Sequence, residues 1–474
     1  MSKGSHGIGF AGRQVGLRLA ALALLLACSR PAPSQEVAPA FRDLPVSQWL
    51  AEGDRHDIPS KVTFAPARLL FDQRHLVEVR VRVDTDRLQK TSVHRHLYLV
   101  LTAADASGHW LHDTNGMDFE LTQPLDRNKE LEFVGRMLVR PGRHLFALIL
   151  YDSVLGQRSV MRSWVRVPDI RHDPLPEVGR EFPEVEFLPN AGGSDQNAPT
   201  HPVREPDAKP PRDGVARRGS GRRRGRDVAF PPADIPRDSG SPEPPTSDSG
   251  GRIPVAAANP LEIDVLVDFT PSWQFAGSAP AYRHAASVFR QVTHMLSLLQ
   301  PEPGCVRLTG IDVLGQRVLF EGMDGNHVEW SRVDAALAGV NPATVDVASL
   351  QGRTRMAEFF RAQVTRLLQQ PDAGCLHGNG QGPLQRVYVI AASGIVFPNG
   401  TQRVPVDPMP GSEVRMYYLR ATLARDAVWD DMEKIVRPLH PRLLTIDTPL
   451  QFRKALATIV TDLRAQAAAP SGRP

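Results

Sequence analysis

The sequence predicts two folded parts of different class: a β-sandwich, followed by an α/β domain with a doubly wound sheet. Three observations predict this. Short alternating strand patterns fill the first half, a stretch rich in Pro, Gly and Arg follows, and buried-strand patterns alternate with helical patterns in the last part. We place the sandwich at residues 61–168, a disordered linker at 169–259, the α/β domain at 260–466 and a tail at 467–474. A chain of 474 residues is long enough for this division.

Strict alternation of side chains marks the strands of the first part. In LVEVRVRVD, valines occupy one face while Glu78, Arg80 and Arg82 occupy the other. This pattern predicts a half-buried antiparallel strand. Similar runs follow, divided by the turn sequences DASGH, RPGRH and VLGQR. Several such strands without helical periodicity predict an immunoglobulin-like sandwich.

The N-terminus has the pattern of an export signal over residues 1–28. Basic residues precede the apolar run 19–28, which is too short to span a bilayer and leads into a Pro-rich stretch. LLAC resembles a bacterial lipobox, in which Cys28 would carry a lipid; cleavage further on, near SQEVAPA, is the alternative. Either form predicts an exported protein in the periplasm, the cell envelope or outside the cell. Residues 29–60 are then an N-terminal tether, and the lipid would attach the protein to a membrane.

Two cysteines, Cys305 and Cys375, remain after the signal. Both follow a glycine and precede a predicted strand, so they would lie at the same end of a parallel sheet. An exported chain can pair such cysteines in a disulfide. Two buried free thiols are the alternative, because sequence alone does not give the distance between them.

The middle segment, 169–259, has little to bury and is predicted to be disordered. It contains ARRGSGRRRGR, and much of the excess positive charge of the chain lies in this short run. We interpret the segment as a solvated tether; contact with an acidic polymer or anionic lipid is the alternative. Export and a formal net charge of only +4 argue against nucleic acid as a partner.

From residue 260 onward, strand and helix patterns alternate. LEIDVLVDF is a buried-strand pattern, and AYRHAASVFRQVTHMLSLLQ has the apolar periodicity of a helix. CVRLTGIDVLGQRVLFEG has the pattern of two strands around a Gly-containing turn, and a helical pattern at 449–466 closes the chain. Strands with intervening helices predict a mostly parallel, doubly wound sheet.

Polar residues follow the first strand of this sheet, at the edge where such sheets bind ligands. In DFTPS, Asp268, Thr270 and Ser272 stand at every second position. One carboxylate and two hydroxyls are oxygen ligands of the kind that Mg²⁺ prefers. The alternative is that Asp268, Thr270 and Thr354 hydrogen-bond each other and nearby backbone, which keeps the shape of the loop without an ion.

Over residues 260–465 the chain resembles the von Willebrand factor type A domain. That family has D-x-S-x-S after its first strand, and D-F-T-P-S stands here. It adds a metal-binding threonine from a glycine-containing loop before a helix; LQGRTRMAEFF resembles that loop, with Thr354 at the matching position. It also supplies an aspartate after its fourth strand, where VIAASG places Ser393 in this chain.

The resemblance implies a metal-ion-dependent adhesion site. Asp268, Thr270, Ser272 and Thr354 would hold Mg²⁺, Mn²⁺ or Ca²⁺, with Ser393 at the edge of the site. With one carboxylate, the site would keep about one positive charge on the ion, and fewer carboxylates bind a cation more weakly. A carboxylate from a partner protein would complete the shell.

The first part also resembles the β-sandwich found beside A-type domains in a class of exported bacterial von Willebrand factor A-related proteins. The matching elements are the Pro141-Gly142 turn, the turn at 152–156 and the strand ending in V-R-V-P at Pro168. In that class the sandwich more often follows the A-type domain, whereas here it precedes it.

Together these features predict an exported, non-enzymatic protein that binds another protein, in adhesion or as a scaffold. A metal-free structural protein of the cell envelope is the first alternative, because Ser393 replaces an acid. A metal-assisted hydrolase is the second. It is disfavoured because Ser393 lacks a G-x-S-x-G turn and no pair of nucleophile and base is visible in the spacing.

Overall fold

The computed structural model describes most of both predicted folded parts. The described residues are 44–84, 95–105, 107–111, 114–121, 130–180, 182–188, 251–270, 279–338, 355–370, 383–397, 404–407, 414–421 and 430–468. Within them the fold is mostly β-sheet, with three sheets and few helices in more than one folded part. None of the described helices is both long and apolar enough to cross a membrane.

The first part contains two antiparallel sheets. Its elements are α1 (Val46–Glu52), β1 (Arg55–His56), β2 (Ser60–Phe64), β3 (Arg68–Leu69), β4 (His75–Asp84), β5 (Arg95–Ala104), β6 (Asn115–Leu121), β7 (Glu130–Val139), β8 (Gly142–Asp152), β9 (Arg158–Val167) and β10 (Val185–Phe187). One five-stranded sheet has the order β1-β9-β8-β5-β6, and the other runs β10-β7-β4-β2, with β3 also paired to β4.

The alternation seen in the sequence produces the core between these sheets. Val79 and Val81 of β4 face Leu99 of β5 and Phe146 and Leu148 of β8 in one buried cluster. The polar residues between them point to solvent, because successive side chains of a strand lie on opposite faces. Burial of one face on each sheet therefore stabilises a two-layer arrangement.

Structure begins earlier than the predicted boundary at residue 61. Helix α1 lies on the outer face of the first sheet, where Trp49 and Leu50 pack against Val100, Ile149 and Val160. The predicted tether 29–60 is therefore too long, because these two apolar side chains find an apolar sheet face to cover.

The second part is a single sheet with helices on both faces. Its elements are β11 (Ile253–Asp268), α2 (Ala279–Ser297), β12 (Leu299–Asp312), β13 (Arg317–Asp324), α3 (Trp330–Ala338), α4 (Met356–Gln369), β14 (Gln385–Ser393), β15 (Arg415–Ala421), α5 (Asp431–Val436), β16 (Arg442–Thr445) and α6 (Pro449–Ala468). The six strands have the order β13-β12-β11-β14-β15-β16. All neighbours are parallel except β12 and β13, which are antiparallel.

Alternate residues of the central strand β11 reach opposite faces of the sheet. Val265 and Val267 pack with α2 and α6 on one face, whereas Leu266 packs with α4 and α5 on the other. The chain moves outward from β11 to β12 and β13, then returns to the other side of β11 as β14. The strand order therefore reverses between β11 and β14, and sheets of this kind bind ligands at such a reversal.

The predicted linker 169–259 is ordered at both ends. After β9, residues 169–180 and 182–188, here called the strap, run from the sandwich to the α/β part and back, ending in β10, which pairs with β7. Leu175, Val178 and Phe182 of the strap share a buried cluster with Phe452 of α6. At the other end, β11 begins at Ile253. The boundary was misplaced because these few apolar residues stand among many Pro and charged residues.

A buried arginine joins the two parts. Arg453 of α6 is 3% exposed. Its guanidinium donates to both carboxylate oxygens of Asp173, at 2.5 and 2.6 Å, and to the carbonyl of Leu175 at 2.7 Å. It also donates to Gln73 in the turn before β4, at 3.3 Å. The sandwich, the strap and the α/β part therefore meet in one hydrogen-bonded contact.

Candidate functional site

Three strand ends form the candidate site at the reversal of strand order. β11 ends at Asp268, β12 ends at Asp312 and β14 ends at Ser393. Asp268 lies beside Ile311 in the parallel register, so the ends of β11 and β12 are level. Asp268 and Ser393 are fully buried, and Thr270 and Asp312 are only 2% and 4% exposed. The structure therefore brings Asp268, Thr270 and Ser393 together, as the sequence predicted, and adds Asp312.

The Asp268 carboxylate holds the turn that follows it. Its Oδ1 accepts hydrogen bonds from the backbone N–H groups of Thr270, at 3.0 Å, and Val313, at 3.3 Å. Its Oδ2 is buried and has no hydrogen-bond partner in the part of the chain that the structure describes. One oxygen of this carboxylate is thus committed to backbone, and one is left open.

Every hydrogen-bonding position of the Thr270 hydroxyl is occupied. Its Oγ1 accepts from the backbone N–H groups of Val313, at 2.7 Å, and Leu314, at 3.2 Å, and donates to Oδ1 of Asp312 at 3.3 Å. A hydroxyl has one hydrogen to donate and two lone pairs to accept with. To bind a cation, Thr270 would have to give up a bond to a buried backbone N–H.

Asp312 is the member of the site that the sequence reasoning missed. Its Oδ1 also accepts from Gly315 N at 2.9 Å, and its Oδ2 pairs with Arg317 Nε at 3.0 Å. The signal in the sequence was the aspartate directly before the VLGQ turn between two strand patterns. Asp324 is at the opposite end of the sheet, since it lies beside Arg307 in the register.

Ser393 closes the loop from the other side. Its Oγ donates to the carbonyl of Thr270 at 2.7 Å. An aspartate at this position would have no hydrogen to donate when ionised, and it would add a third carboxyl to a site that already buries two. The serine therefore suits a loop that is fastened by hydrogen bonds.

Burial raises the pKa of the Asp268 carboxyl to about 7, and the neighbouring Asp312 carboxylate adds to the rise. The hydrogen bonds from Thr270 and Val313 oppose it. A charged carboxylate is unfavourable away from water, so burial favours the protonated, neutral form of Asp268 over the ionised form. Near neutral pH a proton therefore neutralises a large share of Asp268 without a cation.

Among the described oxygens of the predicted metal site, only Asp268 Oδ2 is without a hydrogen bond, so the described part alone offers a metal ion one ligand. Within the described ranges, no group of three or more His, Cys, Asp or Glu side chains is placed to hold one. Asp268 Oδ2 is open, but the oxygens of Thr270 and Ser393 are bonded to protein. Ser272 and Thr354, the other two predicted ligands, lie outside the described residues, as do Cys28 and Cys375.

Cys305, near the amino end of the parallel run of β12, is disulfide-bonded. Its predicted partner Cys375 is one of the residues outside the described ranges, so the identity of the pair stays a prediction. Cys305 lies beside Glu262 in the register, at the end of the sheet opposite the site.

A second buried polar cluster shares the face of β11 with Asp268 but lies further down the strand. Arg307 pairs with Asp264 at 2.7 Å and with Glu262 at 2.9 Å, and Arg386 pairs with Glu262 at 2.9 Å. Burial raises the pKa of Asp264 to about 6, and Arg307 opposes that rise. Two cations and two carboxylates balance in this cluster, which is typical of a structural network.

An exposed apolar side chain stands next to the closed site. After Ser393, the segment 394–397, here called the rim loop, carries Val396, which is 45% exposed. Its neighbours are held by α5: Asp431 N donates to Ile395 O, and Phe397 N donates to the Asp431 carboxylate, both at 2.9 Å. The rim loop therefore presents Val396 on a fixed backbone.

Comparison with known proteins gives little. No family model and no curated protein matches the sequence. A solved structure of the ApaA protein of Bordetella pertussis aligns with 24% of this chain, and the alignment covers 97% of the ApaA chain. The sequence identity is 8% and the TM-score is 0.17. A likeness of this size supports no inference about fold or function.

Proposed function

We propose that this chain is an exported, non-enzymatic binding protein in which an immunoglobulin-like sandwich precedes a von Willebrand factor A-type domain. The strand order, with one antiparallel edge strand and helices on both faces, supports the A-type assignment. So does the D-x-T sequence at the end of the central strand.

The site favours the metal-free form of this function. The observation that carries it is the Thr270 hydroxyl, whose donor and both acceptor positions are occupied by Asp312, Val313 and Leu314. In this proposal, protein groups and not a cation hold the loop that follows β11. We infer that the partner binds over the rim loop without a bridging cation.

Two features support a binding surface rather than an active centre. A catalytic acid or base must come within hydrogen-bond reach of its substrate, and Asp268 and Ser393 are fully buried. Val396, in contrast, is an exposed apolar side chain on a fixed loop. Buried apolar anchors at the centre of an interface supply much of the affinity between proteins.

Calorimetric titration of the full chain with MgCl₂ and MnCl₂ tests the metal-free claim. We expect no saturable heat in the wild type beyond that of the Asp268→Ala variant, because in this account the Asp268 carboxylate binds no ion. Saturable heat in the wild type that disappears in Asp268→Ala would show that the site does hold a cation and would overturn the metal-free form.

Capture experiments test the binding surface. The full chain is used as bait for cell-envelope proteins, in MgCl₂ and in EDTA, beside Val396→Asp and the control Val154→Asp. Val154 is 47% exposed on the sandwich. We expect the same partner in both buffers, retained by the control and lost in Val396→Asp. Capture that is lost in EDTA, or unaffected by Val396→Asp, contradicts the proposal.

A further inference from the structure

The outer face of the first sandwich sheet carries a cationic aromatic surface, here called the Trp164 patch: Trp164, Arg143 and Arg166. Trp164 is 56% exposed, more than any other large apolar side chain in the described ranges. It alternates along β9 with Val165 and Val167, which face the sandwich core. Both arginines are exposed. The patch therefore points away from the core, into solvent.

Arg143 keeps the indole of Trp164 on the surface. Its guanidinium carbon lies 4.2 Å from the centre of the ring. This distance is within the range of a cation–π interaction, to which arginine and tryptophan are well suited. The ring is therefore held in a defined position although more than half of it is exposed.

Two like charges stand opposite each other in the patch. Arg143 on β8 and Arg166 on β9 are direct partners in the antiparallel register, so their side chains leave the same face. Like charges at directly opposed positions destabilise a sheet. Among the described residues, no carboxylate lies within ion-pair distance of either arginine. An anionic partner would relieve this repulsion.

Other arginines of the sandwich are neutralised within the fold. On the second sheet, Arg80 pairs with Glu78 at 2.8 Å and Arg82 pairs with Glu132 at 3.3 Å. On the first sheet, Arg162 pairs with Asp54 at 3.4 Å. The Trp164 patch differs from these ion-paired surfaces because no carboxylate among the described residues pairs with its arginines.

The N-terminal segment enters on the same face. Leu44 and Val46 pack beside Trp49 on the cluster that covers the middle of this sheet. The described chain therefore begins, at Leu44, on the side that carries the patch. The lipid predicted at Cys28 would be attached 16 positions before this point in the sequence.

We propose that the Trp164 patch docks the sandwich on the anionic surface of a lipid bilayer. Indole rings favour the headgroup region because they are apolar with one polar N–H. Arginines next to an anionic leaflet are attracted to it. This surface is separate from the rim loop and does not depend on the function proposed for the α/β part.

Co-sedimentation of the full chain with vesicles tests the proposal. Vesicles of phosphatidylcholine are compared with vesicles that also contain phosphatidylglycerol. The arginine-rich run at 216–226 is a second place where anionic lipid could bind. Each variant is therefore measured twice, once in the natural chain and once with the arginines of that run replaced by serine. We expect binding to the phosphatidylglycerol vesicles in both backgrounds and little binding to phosphatidylcholine alone.

Charge reversal in the patch is compared with the same reversal elsewhere. Arg143→Glu with Arg166→Glu is expected to reduce binding at least tenfold, and Trp164→Ala severalfold. The control, Arg332→Glu with Lys454→Glu, changes the charge equally at exposed positions of the α/β part and is expected to bind like the parent. Arg143→Gln with Arg166→Gln gives a milder change if the reversed variant does not fold.

Three results overturn the proposal. The first is that the parent in the serine background fails to bind phosphatidylglycerol vesicles. The second is that the patch variants bind these vesicles as well as the control does. The third is that the chain does not bind vesicles but binds an acidic peptide or polysaccharide through Arg143 and Arg166. The last result would assign the patch to an acidic macromolecule instead of lipid.

Discussion

The hydroxyl of Thr270 holds the loop after β11 against the loop after β12. Its Oγ1 is shared by two backbone N–H groups, of Val313 and Leu314, and by the Asp312 carboxylate. A side chain of similar volume without the hydroxyl would leave the Leu314 N–H without its acceptor and the Val313 N–H with only its 3.3 Å bond to Asp268. An unsatisfied buried polar group is costly, so the residue contributes to stability as well as to the shape of the site.

We predict that Thr270→Val lowers the free energy of unfolding by about 1–3 kcal/mol, because the Leu314 N–H loses its acceptor and the Val313 N–H keeps only its longer bond to Asp268. Thr270→Ser keeps the hydroxyl and should cost only about 1 kcal/mol, for one lost methyl group. Urea unfolding of both variants measures the difference. Equal losses in the two variants would mean that the hydroxyl is not closing the loop.

His294 of α2 provides a pH-dependent probe. Burial and, to a smaller extent, the positive charges of Arg74 and Arg290 lower the pKa of its imidazole to about 3. Because this folded-state pKa is below the usual 6.5, the neutral imidazole contributes stability that is complete above pH 6.5. That contribution is lost as the pH falls from 6.5 towards 3.

Arg74 belongs to the sandwich, so the pKa of His294 also reports the contact between the two parts. We predict that Arg74→Met moves this pKa upward, while burial still keeps it below 6.5. Arg82→Met, on the exposed face of the second sheet, should leave it unchanged. NMR titration of the histidine ring in the full chain measures both; an unchanged value in Arg74→Met would contradict the observed packing.

Sequence reasoning reached part of the site. A local sequence pattern at the ends of predicted strands identified Asp268, Thr270 and Ser393. The carboxyl ends of parallel strands lie at the same edge of a sheet, so these residues were expected to be close together. Asp312 was missed because its place depends on the register between β11 and β12, which no local pattern contains. The backbone N–H groups that occupy Thr270 follow from the same register, so the metal-site pattern alone did not show that its hydroxyl is already used.

At the scale of elements, a glycine in β12 makes room for an aromatic side chain of its neighbour β13. Gly310 lies opposite Phe320 in the register. A Cβ at this position would lie 2.3 Å from a carbon of the Phe320 ring. The aromatic ring therefore occupies the space that any other side chain would need, on the strand that ends at Asp312.

We predict that Gly310→Ala destabilises the chain by about 1–3 kcal/mol, because the ring of Phe320 must move from a packed core. Combining it with Phe320→Leu should cost less than the sum of the two single changes, since the smaller side chain leaves room for the methyl group. A double-mutant cycle by urea unfolding checks this. Strict additivity would contradict the contact.

Periodicity predicted the elements better than their limits. The two strand patterns around the VLGQ turn correspond to β12 and β13. The start of β11 was placed eight residues late, at Leu261 instead of Ile253, because its first residues, IPVAAANP, include two prolines and small side chains. Pairing with Leu299 and its neighbours in β12 overrides that local preference.

At the scale of the whole molecule, the sandwich and the α/β part are in direct contact, whereas the sequence predicted a disordered linker between them. Arg453 supplies the buried contact through Asp173, Leu175 and Gln73. Sequence reasoning could not find it, because the partners lie about 280 and 380 residues from Arg453 along the chain. The rim loop and the Trp164 patch are therefore presented by parts that are joined through the strap.

We predict that Arg453→Met lowers stability by about 3–5 kcal/mol, the usual cost of removing one partner from a buried ion pair. Arg464→Met, on the same helix but 42% exposed and paired with Glu177 at 3.5 Å, should cost at most about 1 kcal/mol. Scanning calorimetry of the full chain measures both. Equal effects of the two changes would mean that the contact at Arg453 does not hold the parts together.

The closed, metal-free site is tested most directly by a crystal structure of the full chain grown in MnCl₂, using the anomalous scattering of manganese. We predict no anomalous peak within bonding distance of Asp268 Oδ2, with the Thr270 hydroxyl still bonded to the Val313 and Leu314 amides. A peak between Asp268 and Thr354, with Thr270 turned towards it, would contradict the account.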